Sequence, residues 1–399
     1  MPRALFLFNH DAAHQVAHLA PVAGAMARLH PDIETKVAYA SDVIRAQIES
    51  LIRPEDAARI SWHELALPRL VAAAAKGLDR LAPVTRLARL RSHECIFAAS
   101  DAVISTERTC LRVKQRLDPQ IAPIFVRVPH GTGDRSVTFH PDHRRFDLSL
   151  VAGPKIKEQL VANGVDATKI EVTGYPKFEN IDLEARPKFF DNTRPTFVYN
   201  PHFDPHLSSW YDEGPELLHW FASDAGQAYN LIFAPHVMLF RKTIHVSPEY
   251  KVGRLRPEIP EEALAASNIL VDIDGPRLFD MSYMLAADAY IGDASSQLYE
   301  FIVRPRPVFL LDPNGALQSQ GEAALPFLQV GERVATTSEL ITALGDWKTI
   351  GKRDRERQMQ LVAHTFALSD TPASERAANA IAKAIAQANE RRKSGPECA

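Results

Sequence analysis

Residues 124–135 read Ile124-Phe125-Val126-Arg127-Val128-Pro129-His130-Gly131-Thr132-Gly133-Asp134-Arg135. A short run of β-branched and aromatic residues passes directly into a glycine-rich loop that carries a histidine, an aspartate and an arginine. That is the pattern of a strand covered on both faces, ending in a loop where chemistry can sit. Working outward, runs of the same kind recur at 4–8, 35–39, 102–105, 148–152 and 170–173, and again at 196–199, 231–234, 269–271, 289–291 and 308–311. Longer stretches of helical periodicity separate them. The alternation predicts an α/β chain with parallel sheets covered by helices.

A chain of 399 residues exceeds one ordinary core. The polar stretch 180–193 contains Pro187 and runs into Arg194-Pro195, which marks a boundary. Two Rossmann-like domains are therefore expected, at 1–185 and 186–385, with a ligand-binding cleft between them. Near the end, Thr371-Pro372 opens a helix with Ile381 and Ile385 on one face, and 386–399 is expected to be a flexible tail.

Composition narrows the function classes. Apolar residues make up 46% and charged residues 24%, and the net charge is −3, so nothing draws the whole chain toward nucleic acid. Cys95, Cys110 and Cys398 are too few and too scattered for a disulfide framework or a zinc site. The apolar run at 4–8 is too short for a secretory signal, and no stretch is long enough to span a bilayer. The expectation is a cytoplasmic protein. One segment qualifies this: over residues 69–91, Arg69, Lys76, Arg80, Arg86, Arg89 and Arg91 stand against Asp79 alone, interleaved with Leu70, Leu78, Leu81, Leu87 and Leu90. Helical spacing of this kind suits peripheral contact with an anionic membrane surface as well as it suits packing on a domain core.

In parallel sheets, ligands sit beyond the carboxyl ends of the strands, so the polar residues just after each run are the candidates. Five segments qualify. The first is the loop His130 to Arg135, in which Gly131 and Gly133 permit close backbone approach and His130, Asp134 and Arg135 supply base and anion-binding chemistry. The second, Thr173-Gly174-Tyr175-Pro176-Lys177, is a turn that aims Lys177. The third, Asn200 to His206, holds two histidines and Asp204, but its two prolines fit an irregular loop better than a metal site. In the fourth, Pro235-His236 is followed by Arg241 and Lys242, which suits a diphosphate. The fifth, Ile291-Gly292-Asp293-Ala294-Ser295-Ser296, opens a helix with Asp293 or Ser295 as cap. Glu300 lies one turn beyond Ser296, within reach of ribose hydroxyls.

The order of these motifs resembles the CDP-glycerol glycerophosphotransferases of the teichoic-acid polymerase type, which have the GT-B fold. In that family His-Gly-Thr, Gly-x-Pro-Arg, Pro-His and Asp-x-Ser-Ser with a following acidic residue occur in sequence. Their counterparts are His130-Gly131-Thr132, Gly174-Tyr175-Pro176-Lys177, Pro235-His236, and Asp293-Ala294-Ser295-Ser296 with Glu300, spanning roughly 125–311. Two loops depart from the pattern: Gly133-Asp134-Arg135 replaces the usual Pro-Leu-Lys, and Asn200-Pro201-His202 replaces Pro-Thr-Trp.

The resemblance implies a GT-B-like transferase that takes a nucleotide-activated donor, CDP-glycerol in that family, to an acceptor hydroxyl without a metal or resident cofactor. His130 would be the general base, with Asp134 orienting it or replacing it, and His236 would meet the leaving phosphate. Gly131, Thr132, Arg135, Lys177, Arg241, Asp293, Ser295, Ser296 and Glu300 would bind the donor. A polyol phosphate, glycan or lipid would be the acceptor, and nucleic acid is not a partner. Ser295-Ser296 and Glu300 would equally hold a sugar nucleotide, so a GT-B glycosyltransferase or a UDP-sugar 2-epimerase stands as the alternative.

Overall fold

The computed structural model describes residues 1–10, 13–79, 83–134, 140–247, 249–293, 295–317 and 325–394. Arg80, Leu81, Arg135, Ala294 and Cys398 lie outside that set. The chain divides into two compact units, Met1–Asn180 with His364–Ala399, and Ile181–Ala363.

The first unit is built on a seven-stranded sheet in the order β3-β2-β1-β4-β5-β6-β7. Its strands are β1 (Arg3–Phe8), β2 (Glu34–Tyr39), β3 (Ser61–Glu64), β4 (Ala102–Ser105), β5 (Ile124–Arg127), β6 (Leu148–Val151) and β7 (Ile170–Val172). Every pairing is parallel. The near-continuous apolar runs follow from burial on both faces. Along β1, Ala4, Phe6 and Phe8 join one core with the helices Val16–Leu29 and Ala373–Ser394, while Leu5 and Leu7 join the core on the opposite face.

The second unit carries β8 (Thr196–Asn200), β9 (Asn230–Phe233), β10 (Ile244–Ser247), β11 (Val252–Leu255), β12 (Ile269–Val271), β13 (Ala289–Gly292), β14 (Val308–Leu311) and β15 (Glu332–Val334). Six of these form a parallel sheet in the order β12-β9-β8-β13-β14-β15, and β10 and β11 pair as an antiparallel hairpin. Both units are thus Rossmann-like. Every strand expected from the sequence forms. The four it did not reveal, β3, β10, β11 and β15, are edge strands or hairpin arms that bury too little to need an apolar run.

Two boundary expectations are corrected. The division falls after Asn180 rather than 185, and the chain from His364 onward returns to the first unit, so 186–385 is not one domain. The cause is an apolar stripe: Ala377, Ala378, Ile381 and Ile385 are buried against the helix Val16–Leu29 and the β1 face of the sheet. Residues 386–394, expected as a tail, continue that helix, and the Arg392 guanidinium donates to the Ala122 carbonyl.

Candidate functional site

In each sheet the strand order reverses beside its first strand, between β1 and β4 in one unit and between β8 and β13 in the other. The carboxyl ends of the strands at such a reversal leave a crevice where ligands bind. His130 follows β5, next to β4, and the serines of the fifth segment follow β13.

The His130 loop is held from beneath. Lys155, at the start of the helix Pro154–Ala162, donates to the Thr132 carbonyl at 2.6 Å and to the Asp134 carboxylate at 2.7 Å, and Gln159 adds a bond to the same carboxylate oxygen at 3.0 Å. Lys155 is 2% exposed, Thr132 0% and Asp134 8%. Burial pulls the Lys155 ammonium down from its ordinary value and the Asp134 charge pulls it back. This arrangement gives two of the expected site residues structural work. Asp134, expected to orient His130 or act as base, is engaged by a buried ammonium, and Thr132, expected at the donor, is a buried anchor of the loop. His130 itself stays at the surface with Gly131 half-buried beside it. Desolvation and the neighbouring Arg127 guanidinium hold its imidazole below the usual histidine range, so it is neutral at pH 7.

Around His130 the structure gathers residues that the five segments did not include. The loop after β1, the 3-10 turn Ala13–Gln15 and the helix Val16–Leu29 bring His10, His14 and His18 into this neighbourhood. The His14 and His18 rings lie 5.9 and 6.5 Å from the His130 ring, centre to centre. His18 is 3% exposed, and its Nδ1 has no hydrogen-bond partner. Its imidazole is driven well below its usual value by burial first and then by Lys177, His130, His14 and His10. Lys177 is therefore brought to this cluster. Gly174 makes this turn, at a φ of 92° that favours glycine, and Tyr175 packs edge-on against His18 at 5.0 Å. The signal was present in the sequence: Asn9-His10 follows the first strand, where the strand-end rule points, and the histidines repeat at i, i+4 and i+8.

In the second unit the loop after β8 and the turn after β13 are tied together by Asp293. Its carboxylate accepts from the His202 amide at 2.7 Å and the Ser209 amide at 3.1 Å, and it is 0% exposed. Burial raises it to about 7. Asp293, expected as a helix cap or donor contact, is thus a buried tie between two loops. Ser295 is the cap of the short helix Ser296–Ile302, its Oγ accepting from the Gln297 amide at 3.2 Å. Ser296 is half-buried beside it, and Glu300 lines a narrow pocket with Gln297, Arg277 and Tyr283.

His236 follows β9. Its Nδ1 accepts from the Met238 amide at 3.2 Å, which assigns the ring hydrogen of the neutral form to Nε2 and makes that nitrogen a donor. The His202 ring lies 5.2 Å away. Arg241 is exposed, in the 3-10 turn Leu239–Arg241. Among the described residues, no group of three or more His, Cys, Asp or Glu is placed to hold a metal ion.

The basic segment becomes two helices, Arg69–Leu78 and Val84–Ser92, joined where Asp79 accepts from the Thr85 amide and hydroxyl. They play different parts. Leu90 is buried in the first unit's core and Arg86 pairs with Glu107 at 2.9 Å, so the second helix is an integral element. The first buries only Ala75 and leaves Leu70 87% exposed. Among the described residues, no helix is long and apolar enough to cross a membrane.

No family model and no curated protein matches the chain in sequence. Solved structures share its fold. The wall teichoic acid polymerase TagF superposes with a TM-score of 0.58 at 12% identity, covering 98% of this chain and 90% of that one. A putative UDP-N-acetylglucosamine 2-epimerase from Listeria monocytogenes gives 0.56 at 15% identity, covering 97% and 96%. The UDP-GlcNAc 2-epimerase from Neisseria meningitidis bound to UDP-GlcNAc gives 0.54 at 13%, covering 96% and 100%. The fold common to them and to this chain is the GT-B-like pair of Rossmann-like units.

Proposed function

We propose that this chain is a transferase that moves a glycerophosphate, or a related polyol-phosphate group, from a CDP-activated donor to an acceptor hydroxyl. The observation that carries the reading is the His130 loop: a neutral, surface-accessible imidazole after β5, fixed by the buried Lys155 beneath it. His130 takes the proton of the acceptor hydroxyl. The acceptor oxygen then bonds to the phosphorus that carries the glycerol, the bond from that phosphorus to the CMP phosphate oxygen breaks, and CMP leaves with the electron pair. The Nε2–H of His236, the hydroxyls of Ser295 and Ser296, and Arg241 meet the developing charge, each preorganised donor contributing about 10²-fold in rate. Glu300, one turn beyond Ser296 on the same helix, is the group assigned to the ribose hydroxyls. The reaction calls on no metal and no resident cofactor.

A sugar-nucleotide enzyme, either a glycosyltransferase or a UDP-sugar 2-epimerase, is the second reading, and the epimerases of the same fold favour it. Against an epimerase stands the use made of the loop carboxylates. Asp134 pairs with Lys155, Asp204 accepts from Ser247, and Asp293 ties two loops, so each holds structure. The test is to incubate the purified chain with CDP-glycerol or UDP-GlcNAc, with and without a polyol-phosphate acceptor. CMP release that needs both CDP-glycerol and acceptor supports the transferase. Conversion of UDP-GlcNAc without acceptor overturns it.

The exposed helix Arg69–Leu78 gives the reading a place of action. Leu70, Val71 and Leu78 insert at the inner face of an anionic membrane while Arg69, Lys76 and Arg91 meet headgroups, each cation contributing about 1 kcal/mol. The chain works as a cytoplasmic, peripherally attached enzyme on an acceptor held at that surface.

A further inference from the structure

Beside His130, at the end of β5, the structure buries a guanidinium that forms no ion pair among the described residues. Arg127 is 7% exposed, and its Nε and Nη1 have no hydrogen-bond partner. Alternation along β5 puts Phe125 and Arg127 on one face of the sheet and Val126 on the other. The groups that act on Arg127 are Arg108 and Cys110, which supply no carboxylate, and burial together with Arg108 lowers it to about 9. On the other side of His130, His18 is equally buried, with Nδ1 unpartnered, and it feels Lys177, His130, His14 and His10. Two buried basic side chains with unpartnered nitrogens thus flank one exposed imidazole.

A buried cation without a counter-charge is expensive, so folded proteins pair such groups or neutralise them with a ligand. Guanidinium and imidazole N–H groups match phosphate oxygens in geometry and in charge. We propose that Arg127, His130, His18, His14 and Lys177 form an anion subsite in the first unit that binds a phosphodiester of the acceptor, independently of any nucleotide. Only the word acceptor rests on the transferase reading; the binding itself does not. The bound phosphate also restores the base. Its negative charge lifts the His130 imidazole back toward neutral pH, so that proton removal is strongest when an anionic acceptor is in place.

The probe is glycerophosphoglycerol, a diester whose single charge does not change between pH 6 and 8, with glycerol as the neutral control and CDP as the nucleotide control. Calorimetry on the full chain at low salt is expected to show binding of the diester and none of glycerol. Affinity should fall as pH rises, because imidazoles held below their usual range take up protons when an anion binds. Arg127→Met should weaken the diester by tenfold or more with CDP affinity unchanged, and Lys177→Met should weaken it likewise, with circular dichroism reporting that both variants are folded. Arg127→Met also removes the unpaired charge, so without ligand it should melt above the wild type. Failure of the wild type to bind the diester, or wild-type affinity in both folded variants, would overturn the subsite. Diester binding in a chain that proves inactive on CDP-glycerol would leave the subsite standing and remove only the transferase.

Discussion

Replacing Lys155 with methionine removes the ammonium that anchors the His130 loop and leaves the Asp134 carboxylate, whose side chain is 0% exposed, without its counter-charge. Breaking one side of a buried pair costs about 3–5 kcal/mol, because the remaining charge stays desolvated. At about 2–4 °C of melting temperature per kcal/mol for a domain of 150–250 residues, the transition of the first unit should drop by about 6–20 °C. Asp134→Leu alone strands the lysine and should cost a similar amount. The double variant Lys155→Met with Asp134→Leu removes both charges and should recover most of the loss, since an apolar pair of similar volume commonly replaces a buried ion pair without penalty. Turnover is expected to part company with stability. The double variant still lacks the bond to the Thr132 carbonyl, so the His130 loop is no longer fixed and activity should remain depressed at temperatures where the chain is folded. Scanning calorimetry and an initial-rate assay on the same samples measure both. A loss below about 1 kcal/mol in each single variant, or costs that simply add in the double, would refute the argument that the pair is coupled and buried.

His130→Ala should cut turnover by about 10² or more while leaving CDP affinity intact, since a base acts in the chemical step; a fall of less than about tenfold in a single-turnover assay would withdraw its assignment as base. Ser295→Ala with Ser296→Ala, and separately Glu300→Ala, should weaken CDP by roughly tenfold through lost hydrogen bonds to charged phosphate and to ribose, and unchanged calorimetric affinity would move the nucleotide site elsewhere. Asp293, raised by burial to about 7 from an unfolded value near 3.9, holds its proton more tightly when folded. Its stabilising contribution is fully present below about pH 4 and is lost as pH rises through 7, so Asp293→Asn should remove a downward slope in stability between about pH 4 and 7. Sedimentation with vesicles should require anionic lipid, weaken with salt, and fall in Leu70→Ser with Leu78→Ser and in Arg69→Glu with Lys76→Glu and Arg91→Glu; full recovery in the supernatant under all conditions would end the membrane assignment.

Much of this molecule is decided by local pattern. A run such as 289–291 is apolar because β13 is buried on both faces, and the polar residues after it lie at the sheet's carboxyl edge because a strand must end in a loop. That reasoning found the inner strands and located the His130 and Ser295 loops. It stopped where partners are distant in sequence. Asp134 reads as a plausible base until Lys155, 21 positions on, is seen against it. Asp293 reads as a helix cap until the amides of His202 and Ser209 occupy both its oxygens. The stripe of Ala377, Ile381 and Ile385 announces a buried helix face but not which core receives it, and only tertiary packing sends it back to the first unit. Arg127 looks like the ordinary end of a strand, and nothing local shows that it forms no ion pair among the described residues. Periodicity and strand ends are properties of neighbours along the chain and can be read there; charge pairing, orphaned donors and domain membership depend on contacts between remote segments, which come into being only when the chain folds.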